Sequence, residues 1–175
     1  DGMRERTIIV NGVSKAYAMT GWRIGFIAAP EWIVKGCNKL QGQYTSGPCS
    51  VSQKAAEAAY TTSQECVETM RKAFERRRDL IVELAKDIPG LEVNKPEGAF
   101  YLFPKCSSFF GKSYNGKKIE NSTDLAMFLL EVGHVATVGG DAFGDPYCFR
   151  MSYATSDDNI REAMKRIKDT LALLA

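Results

Sequence analysis

The sequence predicts an α/β fold, a sheet-and-helix edge joined to a smaller α+β layer. Three observations lead there: two apolar strands near the start, a helical stretch from Ser50 to Pro89-Gly90, and short strands alternating with helices thereafter. At 175 residues, 45% of them hydrophobic, the chain can bury one core but not two large ones.

The elements follow in order. After a polar start at Asp1 to Arg6, the β-branched run Thr7-Ile8-Ile9-Val10 reads as a strand buried on both faces. A second strand covers Trp22 to Ala28, and Pro30 is expected at the first position of a helix carrying Trp32, Ile33, Val34 and Leu40. That helix breaks between Gly42 and Pro48. From Ser50 a helix is expected to run unbroken, with Val67, Met70, Phe74, Ile81 and Leu84 on one face, until Pro89-Gly90 stops it. Short strands are expected at Leu91 to Asn94 and Ala99 to Pro104, and a mobile surface loop at Ser107 to Asn121, which is rich in Gly, Ser, Asn and Lys. A helix through Asp124 to Val132 precedes strands around Val135 to Val138 and Tyr147 to Tyr153. The last helix opens at Ser156-Asp157-Asp158, where acids suit the cap and the helix dipole, and its apolar face is Ile160, Met164, Ile167, Leu171 and Leu174.

Composition narrows the function. The net charge of +2 is small, and Arg76-Arg77-Arg78 lies among acids, so neither nucleic acid nor an anionic membrane is called for. Five cysteines (Cys37, Cys49, Cys66, Cys106 and Cys148) without a C-x-x-C pair suggest a reducing, cytoplasmic setting and no metal site. The single histidine, His134, reads as a loop or strand-end residue and excludes chemistry that needs a His cluster. A cytoplasmic setting is the expectation, since these residues show no secretory-leader pattern, no apolar run near the length of a membrane span and no lipidation motif.

The most informative stretch is Val10-Asn11-Gly12-Val13-Ser14-Lys15-Ala16-Tyr17-Ala18-Met19-Thr20-Gly21-Trp22-Arg23-Ile24-Gly25. Lys15 leaves a strand in small and aromatic company, where partial desolvation would lower its pKa and suit its amine to attack an aldehyde and later act as a base. Arg23 opens the returning strand, where its fork could meet a phosphate in two charge-assisted hydrogen bonds, with the Ser14 and Thr20 hydroxyls as further donors. Taken alone, a lysine and an arginine near strand ends are more often solvated edge residues.

The whole string resembles the lysine motif of the class I/II (fold-type I) pyridoxal-phosphate-dependent aminotransferases, in the branch whose pattern ends Ala-Met-Thr-Gly-Trp-Arg-Ile-Gly and which contains many aspartate aminotransferases. The resemblance implies that Lys15 forms the Schiff base with pyridoxal 5'-phosphate, and that Arg23, aided by Ser14, holds the cofactor phosphate. Gly12 departs from the pattern, since some members carry a serine there.

A second segment, Asp141-Ala142-Phe143-Gly144 followed by Cys148-Phe149-Arg150-Met151-Ser152-Tyr153-Ala154, resembles the C-terminal family stretch in which an arginine binds the substrate's α-carboxylate. Arg150 is therefore the candidate, because a planar fork matches a carboxylate bidentately. By pattern alone it reads as a snorkelling strand residue. Asp145-Pro146-Tyr147 replaces the family's glycine-rich turn, and Gly139-Gly140 its Pro-Gly. Gln43 to Pro48 with Gln53 resembles the segment near the partner subunit's site, and Pro96 to Tyr101 the small-domain segment at the substrate entrance.

The resemblance implies the C-terminal part of the fold. Residues 1–48 would end a large cofactor-binding domain, and 49–175 would form a long helix and an α+β small domain. The family's acid on the pyridine nitrogen, its tyrosine and asparagine on the phenolic oxygen and its stacking ring are expected before residue 1. Expected of the parent are therefore a homodimer and transamination between an amino acid, aspartate or similar, and a 2-oxo acid. Expected of the chain alone are inactivity and either a rearranged N-terminal segment or pairing with a second copy. The competing readings are a noncatalytic dimerisation or carboxylate-binding domain, and a pyridoxal-phosphate lyase on the same scaffold.

Overall fold

A computed structural model of residues 1–175 contains five α-helices and seven short strands in mixed order, and the chain divides into two compact units, Asp1–Met70 and Arg71–Ala175.

The first unit begins with strands β1 (Ile9–Gly12) and β2 (Gly25–Ala28), paired antiparallel from Ile9↔Ala28 to Gly12↔Gly25. Helices α1 (Glu31–Tyr44) and α2 (Ser50–Thr61) follow. The expectation of a strand buried on both faces is not met: Ile8, Ile9 and Val10 are 49%, 55% and 76% exposed. Burial on both faces requires layers above and below a sheet, and β1 and β2 pair only with each other. Trp32 and Leu40 of α1 are exposed too, while Val13, just past β1, is buried. Pro30 caps α1 instead of opening it, which equally suits a residue without a backbone N–H.

The expected continuous helix is two helices, α2 and α3 (Glu65–Lys86). Side chains make the break. Thr61 and Thr62 hydroxyls donate back to the carbonyls of Glu57 and Ala58, and Gln64 Nε2 donates to the carbonyls of Ala59 and Thr62. Ser63 Oγ accepts from the Glu65 N–H, so a new helix starts where the old carbonyls are already satisfied.

The second unit is built on an antiparallel sheet in the order β3 (Tyr101–Leu102), β7 (Phe149–Ser152), β6 (Val138–Gly139). Leu91 to Asn94 contributes only a single bridge, Glu92↔Lys105. The Ser107 to Asn121 segment, expected to be mobile, is folded. It contains a 3-10 turn at Ser107–Phe109 and a hairpin of β4 (Ser113–Tyr114) and β5 (Lys117–Lys118), turned by Asn115-Gly116 with both φ angles positive. Its apolar residues decide this: Phe109 and Ile119 are buried in the core, and Ser113 exchanges backbone hydrogen bonds with the terminal Ala175.

Helices α4 (Ser122–Glu131) and α5 (Asp157–Leu171) complete the unit. Asn121 caps α4 by accepting from the Asp124 N–H, and Ser156 caps α5 by accepting from the Asn159 N–H, so the cap is the serine and not the acids that follow it. The whole predicted α5 face is buried, packing with Leu80, Ile81, Ala85, Leu125, Leu129 and Phe149 in one core. Truncating Phe149, which is fully buried, to alanine would cost about 3–5 kcal/mol. No helix is long and apolar enough to cross a membrane.

Candidate active site

The loop joining β1 to β2 carries Ser14, Lys15 and Arg23. It leaves and re-enters the ribbon at the Gly12↔Gly25 pair. A Cβ on Gly12 would lie 3.0 Å from the Ile24 carbonyl oxygen and 3.2 Å from Gly25 Cα, so the loop closes most tightly on a glycine there. Lys15 begins a turn in which its carbonyl accepts from the Ala18 N–H at 3.1 Å. Lys15 is exposed and Ser14 half-buried. The desolvation expected around Lys15 is therefore not supplied by its own loop, because Ala16 and Ala18 are exposed too.

Arg23 sits in the left-handed region (φ 53°), two residues before β2 and not on it. Its Nη1 donates to the Thr20 carbonyl at 2.8 Å. Thr20 opens the 3-10 turn Thr20–Trp22, so its backbone orients the guanidinium. Sequence reading missed how the loop is braced. Tyr17 donates its phenolic O–H to Gln64 Oε1 at 2.8 Å, and the Tyr60 ring meets Tyr17 edge-on at 5.1 Å and Phe26 at 5.6 Å. The break between α2 and α3 thus supplies the residue that holds the lysine turn.

Arg150 belongs to the other compact unit, on β7 opposite Val138. Its guanidinium carbon lies 4.4 Å from the centre of the Tyr101 ring and 4.0 Å from that of Phe143. Arg150 is half-buried, with its guanidinium held over two aromatic rings. The altered turn at Asp145-Pro146-Tyr147 is ordered by Asp145, whose carboxylate accepts from the Tyr147 N–H and from the Cys148 thiol. Within Pro96 to Tyr101, the Ala99 carbonyl accepts from the buried Tyr153 hydroxyl at 3.1 Å. Gln53, in the other segment, donates to the Pro48 carbonyl. His134 lies exposed after α4.

Similar proteins point one way. The bifunctional aspartate aminotransferase and glutamate/aspartate-prephenate aminotransferase of Petunia hybrida is 48% identical over 99% of this chain, and the aspartate aminotransferase of Rhizobium meliloti (strain 1021) is 48% identical over 95%. The chain spans only 37% and 41% of their lengths. Among solved structures, the Rhizobium meliloti aspartate aminotransferase superposes with a TM-score of 0.95 at 46% identity, covering 99% of this chain and 44% of that one. The aromatic aminotransferase of Pyrococcus horikoshii OT3 gives 0.86 at 40% identity, covering 98% and 44%. The α/β, fold-type I architecture expected from the sequence is thus the one these structures share. The aminotransferase class I and II family model matches residues 1–167, and with the lysine loop and the β7 arginine both inside that match, the chain belongs to this family.

Proposed function

We propose that this chain is the cofactor-anchoring and carboxylate-binding part of an aminotransferase that moves an amino group between an amino acid, aspartate or a similar one, and a 2-oxo acid. The observation that supports this best is one hairpin loop carrying an amine, a guanidinium and a hydroxyl, closed at the Gly12↔Gly25 pair. That donor set fits pyridoxal 5'-phosphate: a primary amine suits the aldehyde, and a guanidinium with a neighbouring hydroxyl suits the phosphate. Lys15 would hold the group covalently, with Arg23 and Ser14 on its phosphate. When bound, pyridoxal phosphate supplies the electron sink that lets the substrate Cα lose its proton.

The chain's own residues would do the rest. Once the substrate amine has displaced it from the cofactor, the freed Lys15 Nζ would take the proton from the substrate Cα, and Arg150 would fix the α-carboxylate so that the Cα–H bond has one orientation. Domain boundaries near residue 48, a homodimeric parent and a cytoplasmic setting belong to the same proposal. Because the chain spans about two fifths of its relatives, we assign transamination to the longer protein and expect the 175 residues alone to be inactive.

The test is to add pyridoxal phosphate to the purified chain, reduce with borohydride and map the labelled lysine by mass spectrometry. Labelling confined to Lys15 and lost in Arg23→Ala supports the reading. Labelling scattered over surface lysines overturns it for this chain and leaves a noncatalytic binding domain.

A further inference from the structure

Arg150 stands on the central strand β7, with β3 on one side and β6 on the other. Tyr101 reaches it from β3, and Phe143 from the 3-10 turn Gly140–Phe143 that follows β6. At 4.4 and 4.0 Å from the ring centres, the guanidinium carbon lies over ring faces, since an edge contact would hold it farther out. Two rings this close restrict the positions that the guanidinium can take.

Phe143 is itself held in place. The Gly140 N–H donates to Ser122 Oγ at 3.1 Å, and the buried Ser122 hydroxyl donates to Asp141 Oδ1 at 2.9 Å. Thr123 Oγ1 donates to Asp141 Oδ2 at 3.2 Å. These bonds tie the turn to the N-terminus of α4, and the Phe103 ring meets Phe143 edge-on at 6.3 Å.

We infer that Phe143 is a positioning residue for carboxylate recognition: its ring, anchored through Asp141 and Ser122, sets the plane in which Arg150 presents its paired N–H donors. The inference rests on the assignment of Arg150 to the substrate carboxylate. A carboxylate accepts two parallel hydrogen bonds only from a fork that is already turned toward it, so loss of the ring weakens carboxylate binding and leaves the chemical step alone. Phe143 is 44% exposed, which allows replacement without opening the core.

The experiment compares Phe143→Leu, Phe143→Tyr and Arg150→Ala in the full-length protein loaded with pyridoxal phosphate, with succinate as a non-reacting dicarboxylate probe. Phe143→Leu should raise both the succinate inhibition constant and the KM for aspartate about tenfold, with kcat within about twofold of the starting protein. Phe143→Tyr should restore both. The Nε–H signal of Arg150 in nitrogen-15 spectra should lose its ring-current shift in Phe143→Leu and keep it in Phe143→Tyr. Unchanged KM and inhibition constants in Phe143→Leu, beside large rises in Arg150→Ala, overturn the inference alone. A fall in kcat at constant KM overturns it as well, because that is the mark of a purely structural loss. No effect of Arg150→Ala on succinate binding overturns the Arg150 assignment itself.

Discussion

Gly12 and Gly25 face each other as the last register pair of the β1–β2 ribbon, with the space for a Cβ on Gly12 already bounded by Gly25 Cα at 3.2 Å. The lysine turn starts three residues later, so the ribbon's closure sets where Lys15 begins. Gly12→Val would force the ribbon open at its loop end, costing roughly 1–3 kcal/mol of local stability. Borohydride labelling of Lys15 in the presence of pyridoxal phosphate should fall about tenfold, since ~1.4 kcal/mol is a factor of ten. Labelling equal to that of the unmodified chain would mean that the loop tolerates the bulk.

Gly140 is more tightly constrained. A Cβ there would lie 2.1 Å from the Asp145 carbonyl oxygen and 2.4 Å from that of Cys148, both backbone atoms that no rotamer can move aside. Gly140→Ala should destabilise the folded chain by roughly 2–3 kcal/mol, read as a lower urea midpoint at unchanged slope. The site should feel it as well, because the same turn presents Phe143 to Arg150.

The five thiols should separate into two groups. Burial pushes Cys106 up to about 12 and, together with the Asp145 carboxylate, Cys148 up to about 11. Cys49 moves the other way, since the backbone N–H groups of Ser52 and Val51 at the start of α2 favour its thiolate. At about pH 8, iodoacetamide followed by mass spectrometry should label Cys49 first and the exposed Cys37 and Cys66 next. Cys106 and Cys148 should react only after denaturation, and early labelling of either would contradict their burial.

Asp157, in the first turn of α5, receives Arg76 Nε at 3.0 Å and Arg77 Nε at 3.4 Å. Hydrogen bonding from Arg76, opposed by some desolvation and aided by Arg77, holds its carboxyl below the ordinary value of 3.8. A carboxyl whose pKa is lowered on folding contributes stability above its unfolded value and loses it as pH falls through the folded one. Asp157→Asn should therefore lower the urea midpoint at about pH 7, and the gap between the two proteins should close as the pH falls below 3.8 and through the lower folded value. A gap independent of pH would assign the loss to helix capping alone.

Much of this chain is legible without coordinates because its signals are local. Helical periodicity located the apolar face that α5 and the residues just after it bury from Ile160 to Leu174, Ser156-Asp157-Asp158 marked where that helix opens, and the string around Lys15 put the lysine on the connection between two strands, although Arg23, read as opening the second strand, falls on that connection too. Each depends on neighbours a few residues away, whose spacing the backbone geometry dictates.

What the sequence by itself determined, then, is the family, the order of elements and the loop that bears the lysine. Tertiary structure decided whatever depends on partners far along the chain. Gln64 meets Tyr17 across 47 residues, and with its bonds to the Ala59 and Thr62 carbonyls it marks the break in the predicted helix. Phe109 and Ile119 turn a polar stretch into a packed one, although its composition matches that of a mobile loop. Arg150 gains its two aromatic neighbours only when β3 and the turn after β6 flank β7. Composition and periodicity report which residues are able to bury or bond, but which of them meet is set by the packing of the whole unit.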